Sequence, residues 1–524
     1  MGRKVFVPMV SGCLILICCA TAWSQADDAA IESQPAVQRV QFNDTAVVTL
    51  NHKVDAAQAA PTSPAAPTAG TAAAAAPVTA AAPATAPAAT AATAAAVEGT
   101  PADSVPPATT ADRTSRLAAL KARLHQHMGA DADPPAEEAA PAPPPGPEFG
   151  LRQPECLQNM GISVSGWLQQ GISVNSDHPV NGFNGPVATD DLDREYQLNQ
   201  FWMTLDRPVN TGGDGFDFGG RIDAAYGTDW RWYTNNELEN HLNGFNSRIY
   251  GTMLPQAYAA AGYNDLTVKF GTYQANMDYE SMAAPANFFY SHSYCYTYGV
   301  PHLVTGMQAD YKMDENWSVQ GGFHRGWSQF EEDNPSVDFL GGFRWQSSDR
   351  RTVVSYTLSS GPQDINNGDS GFVYSFVFQE RLGPRSQYIL VHDLGVENNA
   401  LSGGGTADWY GLNQYYIYTL SGQWSACVRG EWFRDQDGVV VSGPGNMSGV
   451  RAWSGRGFAG NFYELTAGLN WRPQANVLFR PEVRYDCYDG GTGSYGLSNQ
   501  TGLPFNDGRS STQLLTAADL ILTF

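Results

Sequence analysis

From about residue 161 onward, apolar and polar side chains alternate one by one, and the connections between these stretches are alternately short and long. Successive side chains of an extended strand point to opposite faces, so a period of two sorts them into two sides. In Thr512–Phe524, Leu514, Thr516, Ala518, Leu520, Leu522 and Phe524 share one face, while Gln513, Leu515, Ala517, Asp519, Ile521 and Thr523 share the other. The clearest segment sets Phe216, Phe218, Ile222, Ala224 and Tyr226 against Asp217, Arg221 and Asp223. About sixteen such segments can be counted, within the known range for single-chain barrels. Every second connection is short, and an even count returns the chain to the side where it began. A sandwich does not require that alternation. A closed barrel does, and closure removes the unpaired edge. The expected fold is all-β: a transmembrane antiparallel β-barrel of about sixteen strands, preceded by a signal peptide and a disordered Ala/Pro-rich segment.

Composition agrees. The chain is 12% aromatic but only 16% charged, and it lacks the ~18 consecutive apolar residues of a transmembrane helix. A net charge of −22 argues against nucleic acid as a partner. Of seven cysteines, Cys156, Cys295, Cys427 and Cys487 lie in the strand-rich part. They are far apart and match no metal-ligand spacing. No cofactor is expected.

Residues 1–26 have the form of a secretory signal: Arg3 and Lys4, an apolar run from Val5 to Ala20, then small residues at Ala20-Thr21-Ala22 or Ser24-Gln25-Ala26. Residues 27–147 are rich in Ala, Pro and Thr and offer no large apolar face for a core. This segment is expected to be disordered and periplasmic, with a short basic helix near residues 115–128, where Leu117, Leu120 and Leu124 share a face. Residues 148–524 form the expected barrel. The clearest hairpins turn at Tyr263-Asn264-Asp265, Met313–Asn316, Ser347–Arg350, Leu382-Gly383-Pro384, Ser421-Gly422 and Pro473–Asn476, and one strand of the first is expected over Gln256–Gly262.

With apolar faces turned to outer-membrane lipid, the opposite faces line a lumen. Candidate lining residues are Arg221, Asp223, Lys269, Arg344, Arg429, Glu431, Arg480, Glu482, Arg484 and Asp519. Such charges cost about 2–4 kcal/mol per basic residue if they face lipid at the midplane. They either pair among themselves or set selectivity. The connection Gln274–His302 is unusually aromatic, with Asn287-Phe288-Phe289-Tyr290 and Tyr294-Cys295-Tyr296. It either caps the mouth or folds inward, which makes Asp278, Glu280 and His292 candidate constriction residues. If the two acids face the passage, the pore is expected to be weakly cation-selective.

Several stretches resemble the OmpL-like β-barrel porin family of bacterial outer membranes. They are Gly166-Trp167-Leu168-Gln169-Gln170-Gly171, Tyr196-Gln197-Leu198-Asn199-Gln200, Asp206-Arg207-Pro208-Val209, Gly219-Gly220-Arg221-Ile222-Asp223, Tyr226-Gly227-Thr228-Asp229, Tyr263–Gly271 and Asn287–Ser291. Relatives often carry Pro-Ile-Gly-Tyr-Glu where this chain has Ala275-Asn276-Met277-Asp278-Tyr279-Glu280. The resemblance implies an outer-membrane location and passive transport, without naming a solute. Separately, Phe524, an aromatic closing the last strand, resembles the signal by which bacterial outer-membrane barrels are recognised for insertion, which makes the barrel-assembly machinery an expected partner. The remaining expected partners are small solutes, and a homo-oligomer is compatible with this reading.

The expected function is therefore an outer-membrane porin for small hydrophilic solutes or ions. The alternative is a filled barrel that anchors the envelope without an open pore. An enzyme is not expected: Ser291-His292 lies in a connection, adjacent His392 and Asp393 point to opposite faces, and no nucleophile-elbow, zinc or phosphate-loop pattern occurs.

Overall fold

The computed structural model describes residues 153–524 except 236–237, 244–248, 331–336, 363–369, 402–403, 442–456 and 496–499. The leader, the Ala/Pro/Thr-rich segment and the helix near 115–128 lie outside the described residues. The strands are β1 (Ser163–Asn175), β2 (Tyr196–Arg207), β3 (Phe216–Gly227), β4 (Gly251–Tyr263), β5 (Leu266–Gln274), β6 (Leu303–Lys312), β7 (Trp317–Trp327), β8 (Asp338–Gln346) and β9 (Thr352–Pro362). They continue as β10 (Ser370–Arg381), β11 (Ser386–Glu397), β12 (Ala407–Thr419), β13 (Trp424–Asp435), β14 (Gly460–Gln474) and β15 (Val477–Gly490). A small separate hairpin, β16 (Gly493–Tyr495) with β17 (Gln500–Gly502), precedes β18 (Thr512–Thr523). All but that hairpin form one closed antiparallel barrel of sixteen strands, in which β18 pairs with both β15 and β1.

The alternation read in the sequence becomes the two sides of this wall. In β18 the even-numbered Leu514 and Thr516 are exposed, while Gln513, Leu515, Ala517, Asp519 and Ile521 are buried. Phe216, Phe218, Ile222 and Tyr226 are likewise exposed on the outer face of β3. Closure is completed by Phe524, whose N–H donates to the Gly166 carbonyl at 3.0 Å while its own carbonyl accepts from the Gly166 N–H at 3.0 Å.

The strand expected over Gln256–Gly262 is longer: β4 begins at Gly251. The pairing with β3 shifts between Asp223 and Ala225, so Leu254 and Pro255 bulge out of the ladder. Proline has no N–H to give a partner strand and is tolerated where a bulge frees that position. The expected strand covers only the part of β4 that follows this bulge. The β16–β17 hairpin was also not anticipated.

The interior is built differently from that of a two-layer protein. The apolar side chains facing inward do not meet a second sheet. They meet the connection between β5 and β6, which lies inside the barrel. Met277, Met282 and Ala284 from this connection pack with Trp167, Trp202, Tyr273 and Leu340 of the wall. Phe288 and Phe289 pack with Val377, Ile389, Val391, Tyr415 and Cys427. Gly171 on β1 makes room for this fit, since a Cβ there would stand 2.7 Å from the Tyr290 ring. The four cysteines of the described residues are free thiols.

Candidate functional site

Two elements of sequence meet in the lumen. One is the connection 275–302, which leaves β5 and crosses to strands half-way round the barrel. The other is the row of alternating charges on β13 and β15. Residues two apart on a strand share a face, so Arg429 and Glu431 both point inward from β13. Arg480, Glu482, Arg484 and Asp486 point inward from β15. The backbone of a connection also alternates donors and acceptors, which need partners once it leaves water.

The charges supply those partners. Arg480 donates to the carbonyls of Ala284 (3.0 Å) and Asn287 (2.9 Å). Glu482 accepts from the N–H groups of Tyr290 (2.7 Å) and Ser291 (3.1 Å). Arg484 donates to the His292 carbonyl at 2.6 Å. On β13, Arg429 donates to the Ser291 carbonyl at 2.9 Å, and Glu431 accepts from the N–H groups of Tyr294 (2.7 Å) and Cys295 (2.6 Å). The two strands thus act as a comb that reads the main chain of the inward connection, arginine to carbonyl and glutamate to amide.

Glu280 is the hub of the side-chain contacts. It accepts from Arg429 at 2.8 Å and from Tyr415 at 2.6 Å, and it lies 2.6 Å from His292 Nδ1. Burial alone would raise the Glu280 carboxyl, but Arg429 and His292 outweigh it and hold the group down at about 2. Arg429 also donates to Glu464 at 3.0 Å. At the closing seam, Arg480 Nε donates to Asp519 at 2.8 Å, and Gln169 from β1 donates to the same carboxylate at 2.8 Å. Above the connection lies the loop 176–195, where Ala188 accepts from the His292 N–H at 3.2 Å and Thr189 donates to the Tyr290 carbonyl at 3.0 Å.

Six of the ten candidate lining residues, Arg429, Glu431, Arg480, Glu482, Arg484 and Asp519, therefore face inward but lie beneath the connection, none more than 3% exposed. Asp223 is buried too, paired with Arg221 at 2.9 Å. Arg221 and Lys269 are half-buried, and Arg344 is exposed near the end of β8. The connection does enter the lumen, but Glu280 is turned to Arg429 and Tyr415 of the wall, His292 is turned to Glu280, and both are buried. Glu464 and Tyr415 were missed. Their one signal was an inward place on their strands, which does not say what they meet.

Asp278 starts the comb. Its φ of 68° is left-handed. Its N–H donates to Ser375 Oγ at 2.9 Å, and Ser375 sits directly opposite Asp393 across β10 and β11. The Asp278 carboxyl lies near that of Asp393, and two neighbouring carboxylates disfavour each other's charge. Burial first, then the charges of Asp393 and Glu280, raise the Asp278 carboxyl well above its ordinary 3.8. A carboxyl whose value is raised on folding adds stability at low pH that is lost as pH climbs above 3.8 toward the folded value. Glu280 has the opposite sign. Its contribution is full above 4.5 and is lost as pH falls toward about 2. Protection of the amides of residues 276–295, taken relative to their intrinsic exchange rates at each pH, is expected to be greatest in mild acid and to fall as pH rises above 3.8. Asp278→Asn is expected to remove the loss with rising pH and leave the acid loss in place. An unchanged loss with rising pH in that variant would show that Asp278 is not the group responsible.

Residues 161–524 match the family described as "Putative beta-barrel porin-2, OmpL-like". Among curated proteins, none matches the chain by sequence. Among solved structures, the chain is similar to the outer membrane channel DcaP of Acinetobacter baumannii, with 11% identity, a TM-score of 0.43, and coverage of 69% of this chain and 97% of that one. It is similar to an anion-selective porin from Comamonas acidovorans, with 7% identity, a TM-score of 0.47 and coverage of 69% and 99%. It is also similar to Salmonella typhi OmpF in complex with daunomycin, with 10% identity, a TM-score of 0.45 and coverage of 70% and 99%.

Proposed function

Since the chain belongs to the OmpL-like porin-2 family of β-barrels, we propose that it forms a narrow water-filled passage through the outer membrane for passive diffusion of small hydrophilic solutes or ions. The observation that carries this reading is the unequal cover of the inner wall. The connection 275–302 is fastened to β10, β12, β13 and β15, on the far side from its own strands. The arc from β3 to β9 keeps polar side chains that are not fully covered: Arg221, Gln256, Tyr258, Lys269, Asp310, Gln320 and Arg344. Polar side chains that face inward and stay partly exposed are suited to line water. In this reading the short turns lie on the periplasmic side, residues 27–147 extend into the periplasm, and Phe524 is the contact for the assembly machinery.

A second reading rests on the same comb. Arg429, Arg480 and Arg484 are at most 1% exposed, so much of the lumen is filled, as in a barrel that anchors the envelope without a pore. Purified protein reconstituted into liposomes separates the two. A passage lets small sugars enter and the vesicles swell, faster for smaller sugars. A filled barrel gives the rate of empty liposomes.

A further inference from the structure

We infer that Lys269 is the specificity-determining residue of this passage, a single cationic site for small anions such as chloride and simple carboxylates. The inference rests on the proposed pore and goes beyond it by naming what sets its preference. Lys269 faces inward from β5, with Ala260 and Gln308 as its cross-strand neighbours. Its Nζ lies 4.3 Å from the centre of the Tyr273 ring and 5.9 Å from that of Tyr258. A ring face attracts an ammonium but accepts none of its three N–H donors in the way that a carboxylate does. Among the described residues, no hydrogen bond or ion pair to Lys269 is found. Tyr273 is completely buried where β5 runs into the inward connection, so Lys269 stands close beneath that connection.

The neighbouring charges are spent or lie farther toward the mouth. Arg221 is paired with Asp223 at 2.9 Å, and Asp206 is its partner across β2 and β3. Asp310, two residues from Gln308 on the same face of β6, accepts from Gln308 at 2.8 Å; its charge acts on Lys269, but among the described residues it makes no ion pair with it. Arg344 sits near the end of β8, bonded to Gln346 at 3.2 Å. Asp278 and Glu280, the acids that favour cations if they face the passage, are held against the far wall. An ammonium with unspent donors in a narrow, partly desolvated place attracts an anion far more strongly than the same charge in bulk water. Its effect is also screened less by salt than that of a charge at the mouth.

The test is the reversal potential of single channels in a potassium chloride gradient, repeated with potassium acetate. Wild type, Lys269→Gln, Lys269→Arg and Lys312→Gln are compared at about 0.1 M and about 1 M salt, where the Debye length falls from ~10 to ~3 Å. Lys269→Gln is expected to lower the anion-to-cation permeability ratio at least about twofold at both salts, while Lys269→Arg keeps it. Any shift in Lys312→Gln is expected to fade at high salt. An unchanged ratio in a conducting Lys269→Gln channel overturns the site and leaves the pore standing. Wild-type channels that do not conduct overturn both. If Lys269→Gln fails to fold, Lys269→Met with the same readout decides.

Discussion

Arg429→Met is expected to release the inward connection, raise single-channel conductance and destabilise the barrel by about 3–5 kcal/mol, the usual cost of removing one partner from a buried charge network. The guanidinium touches Glu280, Glu464, the Ser291 carbonyl and the Ser291 hydroxyl, the last at 3.0 Å. Methionine fills much of the same volume, so the loss falls on charge and hydrogen bonds. Glu464 then loses its cation, and Glu280 keeps only His292 beside it. The cheapest relief is for Glu280 to leave with the segment that carries it. Protease cuts within 276–295 and a larger conductance step should appear together. Adding Glu464→Gln should recover part of the stability, because one stranded charge is gone. If the conductance and the cutting pattern stay as in the wild type, the connection is held by its aromatic packing and the charge comb is incidental.

Asp519→Ala is expected to be comparably severe at a different place. Asp519 lies on β18, takes Arg480 from β15 and takes Gln169 from β1. It therefore ties together the three strands at the closing seam. Its removal leaves Arg480 buried without a counter-ion, again about 3–5 kcal/mol. On unheated detergent gels the compact form should be lost at a lower temperature than in the wild type. The pair Arg480→Met with Asp519→Leu removes both charges and should recover most of the loss, since a well-packed apolar pair often replaces a buried ion pair at little cost. A double variant no better than the single one would show that the carboxylate matters for its bond to Gln169 and not for its charge.

The barrel was legible because its wall obeys a period of two over nearly every strand, and the outer band has no reason to hide its apolar residues. Leu514, Leu520 and Leu522 against Gln513 and Asp519 already say which face is outside. The inward place of 275–302 was legible as one of two options, because Phe288, Phe289 and Tyr290 need apolar company that a solvated loop lacks. What the row Arg480-x-Glu482-x-Arg484 touches was not legible. Its partners are main-chain atoms nearly 200 residues away in sequence, and every residue type carries the same carbonyl and amide. The direction of Asp278 and Glu280 was hidden for a related reason, since a connection inside a barrel can turn the same side chains to the wall or to the water. The first residues of β4 were not legible, since a proline inside a strand is tolerated only where a bulge such as this one absorbs it.

The central claim is that water and ions pass along the uncovered arc of a barrel partly filled by its own connection. Single-channel recording of the purified, folded protein in a planar bilayer tests it most directly. The account predicts discrete conductance steps that are small for a barrel of sixteen strands and that grow in Arg429→Met. A folded barrel that inserts without any steps, in the wild type and in Arg429→Met alike, would contradict it.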